Sequence, residues 1–342
     1  MHARTIAIER TGLVTSVGLS APAACAAIRA KISNPSRTCF MDSGGAWIMA
    51  HQVPLEKPWR GLPRLAKLAA MAVAECLECV PRADWASIPL LLCVAERERP
   101  GRLDGLDEQL LHDVERELGV RFAAESAVIA QGRVSAMLAL TVARELIYEA
   151  QCRHVLIAAT DSLLTWPTLS AYEHEDRLLT PRHSDGFMPG EAAGGLLVGK
   201  PGDDDALLCT GIGFGVEKAH IDSGEPLRAD GLTCAIRSAL SDAGCELHDL
   251  DYRITDLAGE QYYFKEATLA LSRILRARKE VFDIWHPAES LGRTGAADGI
   301  ALFAVADAAC RKGYTAGLDI LAHCANDAGA RTAAVLRYGV AR

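Results

Sequence analysis

Nowhere in the 342 residues is there an apolar run of about 18, the length a helix needs to cross a bilayer. Basic excess is missing too. Asp and Glu number 44 against 36 Lys and Arg, a formal net charge of −8, which argues against nucleic acid or an anionic membrane as the main partner. Residues 1–9 lack the layout of a signal peptide. There is no disulfide framework: the 11 cysteines are odd in number and scattered through apolar patterns, as expected of buried thiols in a reducing cytoplasm. Cys76-Leu77-Glu78-Cys79 has no second pair and no histidine nearby, so it reads as helix packing. No metal and no cofactor are expected. Long disorder is absent as well, since 50% hydrophobic and 23% charged residues make a globular balance.

What is present is an alternation of apolar strands and one-faced helices. Residues 5–8 and 13–15 flank a break at Thr11-Gly12, and residues 21–32 read as a helix of small residues. Residues 33–60 are punctuated by Pro and Gly with no sustained period, an extended excursion. Over 64–79, Leu65, Leu68, Ala69, Ala72, Val73 and Cys76 share one helix face. Residues 88–94 suit a strand covered on both faces, and residues 104–118 a polar amphipathic helix. Then come a strand at 127–130, a turn at Gln131-Gly132-Arg133, an apolar helix over 135–150 and a buried strand over 154–159. The later chain gives helices over 231–244, 266–278 and 300–311, and strands over 251–255 and 318–322, the last ending at His323-Cys324-Ala325-Asn326. Segments 135–162 and 298–327 match in element order, as do 64–94 and 231–255, which suggests an internal duplication. The alternation itself supports an α/β protein with a mostly parallel sheet.

The stretch Ser184-Asp185-Gly186-Phe187-Met188-Pro189-Gly190-Glu191-Ala192-Ala193-Gly194-Gly195-Leu196-Leu197-Val198 reads as a Gly-rich turn entering an apolar strand at 196. It resembles the R-D-G-F-x-x-G-E-G-A-G-x-L-x-L segment of the β-ketoacyl-ACP synthases of the thiolase superfamily. Gly12-Leu13-Val14-Thr15-Ser16-Val17-Gly18 is similar to that family's opening G-x-V-T-x-x-G. Gly292-Arg293-Thr294-Gly295-Ala296-Ala297-Asp298-Gly299 is similar to its G-H-x-x-G-A-A-G, and residues 329–337 to its closing G-T-N-A-x-x-V-L-R. The resemblance spans nearly the whole chain. It implies a thiolase-like fold of two similar βαβαβαββ halves, residues 1–200 and 206–342, in five α-β-α-β-α layers, with the helices 135–150 and 300–311 buried at the centre.

The same resemblance exposes a loss of chemistry. A ketosynthase carries its acyl chain on a cysteine whose pKa is lowered at a helix N-terminus, with backbone N–H groups holding the oxyanion. Two histidines activate the malonyl carboxylate and stabilise the enolate. The nucleophile's place falls on Gln131, Gly132 or Val134 according to register, and none is cysteine. The two histidine places fall on Ala258 and Gly292, and the family's G-F-G-G loop is Asn326-Asp327-Ala328-Gly329. Glutamine at the cysteine place occurs in loading-module decarboxylases, which keep their histidines, and in chain-length factors. Ser135 begins a helix and reads as a cap rather than a nucleophile. Cys324 lies where thiolases carry a second, acid/base cysteine; a buried inert thiol is the preferred reading. Asp161, Asp185 and Glu191 read as carboxylates holding backbone N–H groups. Asp203-Asp204-Asp205 reads as a solvated loop.

Three functions follow as expectations. The first is a catalytically inactive, ketosynthase-like partner or scaffold subunit. The second is an active 3-oxoacyl-ACP synthase or acyltransferase using displaced residues such as Cys324. The third is an acyl- or CoA-binding accessory protein, for instance of a secretion apparatus. The expected partners are a second copy or a related ketosynthase-like chain, joined along the strand 154–159, and an acyl carrier protein; the expected location is the cytoplasm. A residual pocket is placed at Gln131, Gly132, Arg133, Ser135, Ala258, Gly292 and Asn326. Arg133 either holds an anion there or closes the cleft by pairing with Glu125, Asp256 or Glu260.

Overall fold

Strands with two apolar faces set the architecture, because each must be covered on both sides. The computed structural model describes residues 4–340; residues 1–3 of the N-terminal segment considered above lie outside it. In chain order the elements are β1 (Ile6–Val14), α1 (Ala21–Arg29), β2 (Ser36–Met41), β3 (Trp47–Ala50), α2 (Gly61–Cys76), β4 (Leu90–Val94), α3 (Leu110–Leu118), β5 (Ala127–Ala130), α4 (Ser135–Tyr148), β6 (His154–Ser162), α5 (Trp166–His174) and β7 (Glu191–Gly199). They continue with β8 (Ala206–Val216), α6 (Asp230–Ala243), β9 (Tyr252–Thr255), α7 (Gln261–Ile274), β10 (Ile284–Trp285), α8 (Ala288–Leu291), α9 (Ala297–Arg311), β11 (Asp319–Ala325) and β12 (Ala330–Gly339).

A 10-stranded sheet runs β10-β9-β11-β12-β8-β1-β7-β6-β4-β5. Read outward from the β1–β8 junction, where Ile6–Ile8 pairs antiparallel with Leu207–Cys209, the two wings have the same strand order. They also share directions: β4 is parallel to β5 and β6, as β9 is to β10 and β11, while β7 and β12 run antiparallel to their neighbours.

Side-chain alternation along these strands builds the layers. Leu91, Cys93, Val155 and Ile157 enter a central core, and Leu90, Leu92, Leu156 and Ala158 enter a second core beneath α2 and α3. On the other wing Ile320, Ala322 and Cys324 join the same central core, whereas Leu321, Ala333 and Val335 pack under α6 and α7. The central core also takes α1, α4 and α9. The result is helix, sheet, helix, sheet, helix, the thiolase-like arrangement. Residues 297–307 of α9 are all buried, and truncating a core aliphatic such as Ile300 should cost about 2–5 kcal/mol. A Cβ on Gly194 would come within 2.6 Å of Ile300 Cγ2, so β7 must be small where α9 crosses it.

Several elements differ from expectation. β7 starts at Glu191, not 196; its Ala and Gly residues are strand because helices press close on it, not because they favour strands. The excursion at 33–60 contains a β2–β3 hairpin whose register shifts between Arg37 and Met41, which erases any period of two. α5 was not anticipated, and β11 runs on to Ala325, so Cys324 sits inside a strand. The strand 154–159 is not available for pairing between chains: β6 is bonded to β4 on one side and β7 on the other. Among the described residues the edge on that wing is β5, which pairs with β4 alone. No helix of the described residues is long and apolar enough to cross a membrane.

Candidate functional site

The turn between β5 and α4 is where the resemblance places the nucleophile. Gln131 is exposed, Gly132, Arg133 and Val134 form one buried 3-10 turn, and α4 begins at Ser135. The Ser135 hydroxyl accepts from Gln131 N at 3.1 Å and donates to Ile129 O at 3.2 Å. It ties the turn back to β5 rather than capping α4. Gly132 has φ +56°, and a Cβ there would fall 2.0 Å from Glu96 Oε2. A carboxylate thus occupies the space a side chain at 132 would need. Val134 belongs to the central core.

Arg133 is 4% exposed and reaches into a cluster of opposite charges. One guanidinium nitrogen donates to Asp256 Oδ2 at 3.0 Å, the other to Asp327 Oδ1 at 2.6 Å and to the Tyr263 hydroxyl at 3.0 Å. Arg177 donates to Glu260 at 2.8 Å and stands 3.1 Å from Asp327 Oδ2. Arg293 lies 2.5 Å from Glu260 Oε2 and stacks on the Phe187 ring at 4.2 Å. Tyr263 and Tyr172 complete the shell of Asp327, donating at 2.5 and 3.2 Å. Arg133, Arg177 and Arg293 therefore balance Asp256, Glu260 and Asp327. Burial alone would raise the Asp327 carboxyl, but Arg133, Arg177 and Arg293 hold it well below the usual carboxylate range. Burial likewise opposes the charge on Arg133, and Tyr263, Asp327 and Asp256 outweigh it. Such a cluster is stable only while complete, because each ion has given up its hydration.

The pieces come from distant elements. Asp256 follows β9, Glu260 precedes α7, Tyr263 is in its first turn, Asp327 is in the β11–β12 turn and Arg293 leads into α9. Sequence reading offered Glu125, Asp256 or Glu260 as the partner of Arg133, and of these Asp256 is the one it meets; it missed Asp327 as a partner, along with Arg177, Arg293, Tyr172 and Tyr263. No local pattern marks these residues. Glu260 binds Arg177 and Arg293 instead of Arg133.

The remaining candidates are placed as follows. Ala258 is partly buried against Leu163, Leu169, Tyr172 and Phe187. Gly292 has φ +67°, and a Cβ would meet Met188 O at 2.6 Å and His51 Cδ2 at 2.7 Å. Asn326 is a turn residue whose Oδ1 accepts from Ala330 N at 2.8 Å. Cys324 is fully buried, and burial pushes its thiol well above the ordinary value. His323 is buried, and its imidazole is driven down to about 3, first by burial and then by Arg253 and Arg331. Asp161 takes Arg99 at 2.6 Å and the Ala296 N–H at 2.8 Å. Asp185 takes the Gln261 N–H at 2.7 Å, and Glu191 takes Arg64 and the Val53 N–H. Asp203, Asp204 and Asp205 are exposed. Among the described residues no three His, Cys, Asp or Glu side chains converge as a metal site would require.

No family model matches the chain, and no curated protein does. Solved structures do. The structure of the ketosynthase ApeO in complex with its chain length factor ApeC, from Xenorhabdus doucetiae, superposes with a TM-score of 0.78 at 15% identity, covering 98% of each chain. The ishigamide ketosynthase/chain length factor gives 0.78 at 16%, covering 98% of this chain and 99% of that one. A β-ketoacyl synthase from Burkholderia phymatum gives 0.75 at 14%, again over 98% and 99%. The chain has the thiolase-like ketosynthase fold over the 98% of its length that these structures cover.

Proposed function

We propose that this chain is a ketosynthase-fold subunit that condenses no acyl units and serves as the partner of a second ketosynthase-fold chain. One observation carries the reading: Arg133, in the turn where the resemblance puts the nucleophile, is buried and bonded to Asp256, Asp327 and Tyr263. A charge network fills the place where an acyl group would be attacked. Cys324, the displaced candidate, lies inside β11 with its thiol held protonated by burial. Pairing is supported by ketosynthase complexes with chain length factors among the similar structures, and by the edge of β5. An unpaired edge strand is a ready template for another chain. A structure of a ketosynthase bound to its acyl-carrier protein is also similar, with a TM-score of 0.79, which makes a carrier protein a further proposed partner.

The test is light scattering on the chain alone and mixed with an active ketosynthase-fold chain, repeated with Val128→Pro. Proline on an edge strand blocks pairing with a further strand, so this variant should lose association, with circular dichroism checking that it folds. A wild type that stays monomeric at micromolar concentration in both samples would overturn the pairing.

A further inference from the structure

Away from the Arg133 cluster, and sharing no residue with it, a cavity of about 390 Å³ opens between the C-terminal end of α1, the β10–α8 segment and α9. That volume is within the range of small-molecule sites. Ile28 and Val305 provide aliphatic lining, and two aromatic rings flank it. Trp285 is fixed by packing on Tyr252 at 4.5 Å, and Tyr314 lies beneath the Arg29 guanidinium at 4.3 Å.

The polar groups are few and uncommitted. Arg29 stacks by its face and makes no hydrogen bond or ion pair among the described residues, which leaves the edge of its fork free. Lys31, held at φ +55°, also has no acidic partner there. Ser290 lines the cavity, and its hydroxyl makes no side-chain hydrogen bond among the described residues, which leaves it open to the cavity. The single acid at the rim, Glu289, is exposed, with His286 Nδ1 3.3 Å from its carboxylate. Two free cations over an apolar, aromatic-walled cavity select a ligand with one anionic head and a flat apolar body. A stacked arginine with a free edge matches a carboxylate, which it can grip in a bidentate pair.

We infer that this cavity binds a small carboxylate with a planar apolar body, its head on Arg29 and Lys31, with Ser290 as a further polar contact. The test is isothermal titration of 2-naphthoate and of the uncharged 2-naphthamide into wild type, Arg29→Ala/Lys31→Ala, Ser290→Ala and Arg133→Met. The expected result is saturable naphthoate binding near a Kd of about 100 μM, with the amide at least tenfold weaker. The double variant should lose at least tenfold at unchanged melting temperature, since both cations are exposed, and Ser290→Ala should lose several-fold. Arg133→Met should bind as wild type, so failure here is separate from failure of the proposed function. Equal affinity for acid and amide, an undiminished double variant, or no binding at about 5 mM would each overturn the inference.

Discussion

Arg133 and Asp327 are 194 positions apart in the chain and meet at 2.6 Å. The first leads into α4, the second turns β11 into β12, and the contact fastens one wing of the sheet to the other directly over the central helices. Tyr263 bonds both of them, so the junction is a closed three-way contact rather than an isolated ion pair.

Removing the cation should therefore cost stability. Arg133→Ala leaves Asp256 without its guanidinium and Asp327 with Arg177 as its remaining close cation. Breaking a buried pair from one side costs about 3–5 kcal/mol, and the low end is expected because Asp327 keeps two tyrosines. Urea unfolding should show a lower midpoint at unchanged slope. Arg133→Met combined with Asp256→Asn should recover part of the loss.

Acid should weaken the fold before its carboxylates titrate. Burial lowers the His51 imidazole to about 4, and burial with Arg253 and Arg331 lowers His323 to about 3. The unfolded chain, with histidines near 6.5, binds more protons than the native one between those values, so stability is lost as pH falls from about 6.5 toward 4. His51 alone accounts for about 3 kcal/mol of that slope at most. His51→Asn, which can still partner Ser16, should flatten it in unfolding measured at pH 7, 6, 5 and 4.5.

Asp298 works in the opposite direction. Burial lifts its carboxyl to about 6 against two hydrogen bonds from Thr294, and its Oδ2 is unpartnered. A raised carboxylate pKa means the native state binds more protons between about 4 and 6, and its ionisation costs stability above that range. Asp298→Asn keeps Oδ1 for Thr294 and removes the charge. It should raise stability at pH 8 by about 1 kcal/mol, less than the full shift because the start of α9 favours an anion, and change little at pH 4.

Thiol chemistry should follow burial. Cys39, Cys79 and Cys234 are exposed, whereas Cys324, Cys76 and Cys93 are buried with their thiols pushed up by desolvation. Iodoacetamide on the native protein should label the exposed three within minutes and reach Cys324 only in denaturant, as read by peptide mass. Rapid native labelling of Cys324 would revive it as a nucleophile.

Much of the fold was legible because burial on both faces leaves a signature. The apolar run at 88–94 became β4 and the apolar helix at 135–150 became α4, each within two residues at either end. α5 was illegible: only Thr168, Leu169 and Tyr172 of its nine residues are buried, too few for a helical period. The strand 154–159 was misread as an edge because apolarity marks a covered strand, and a covered strand such as β6 is the one with no free side. The residues at the places the resemblance gives to histidine could be read directly, as Ala258 and Gly292. The charge network around Arg133 could not. Arg99 meets Asp161 across 62 residues and Arg133 meets Asp256 across 123, and charged residues scattered in polar segments look like solvated surface until the fold gathers them.

The central claim, that a closed charge network stands where acyl transfer would occur, is tested most directly by intact-mass spectrometry. The protein is incubated with acyl-CoA and with acyl-loaded carrier protein, then weighed. The account predicts the unmodified mass in both samples. A stable acyl adduct that disappears in Cys324→Ala or Ser135→Ala would contradict it.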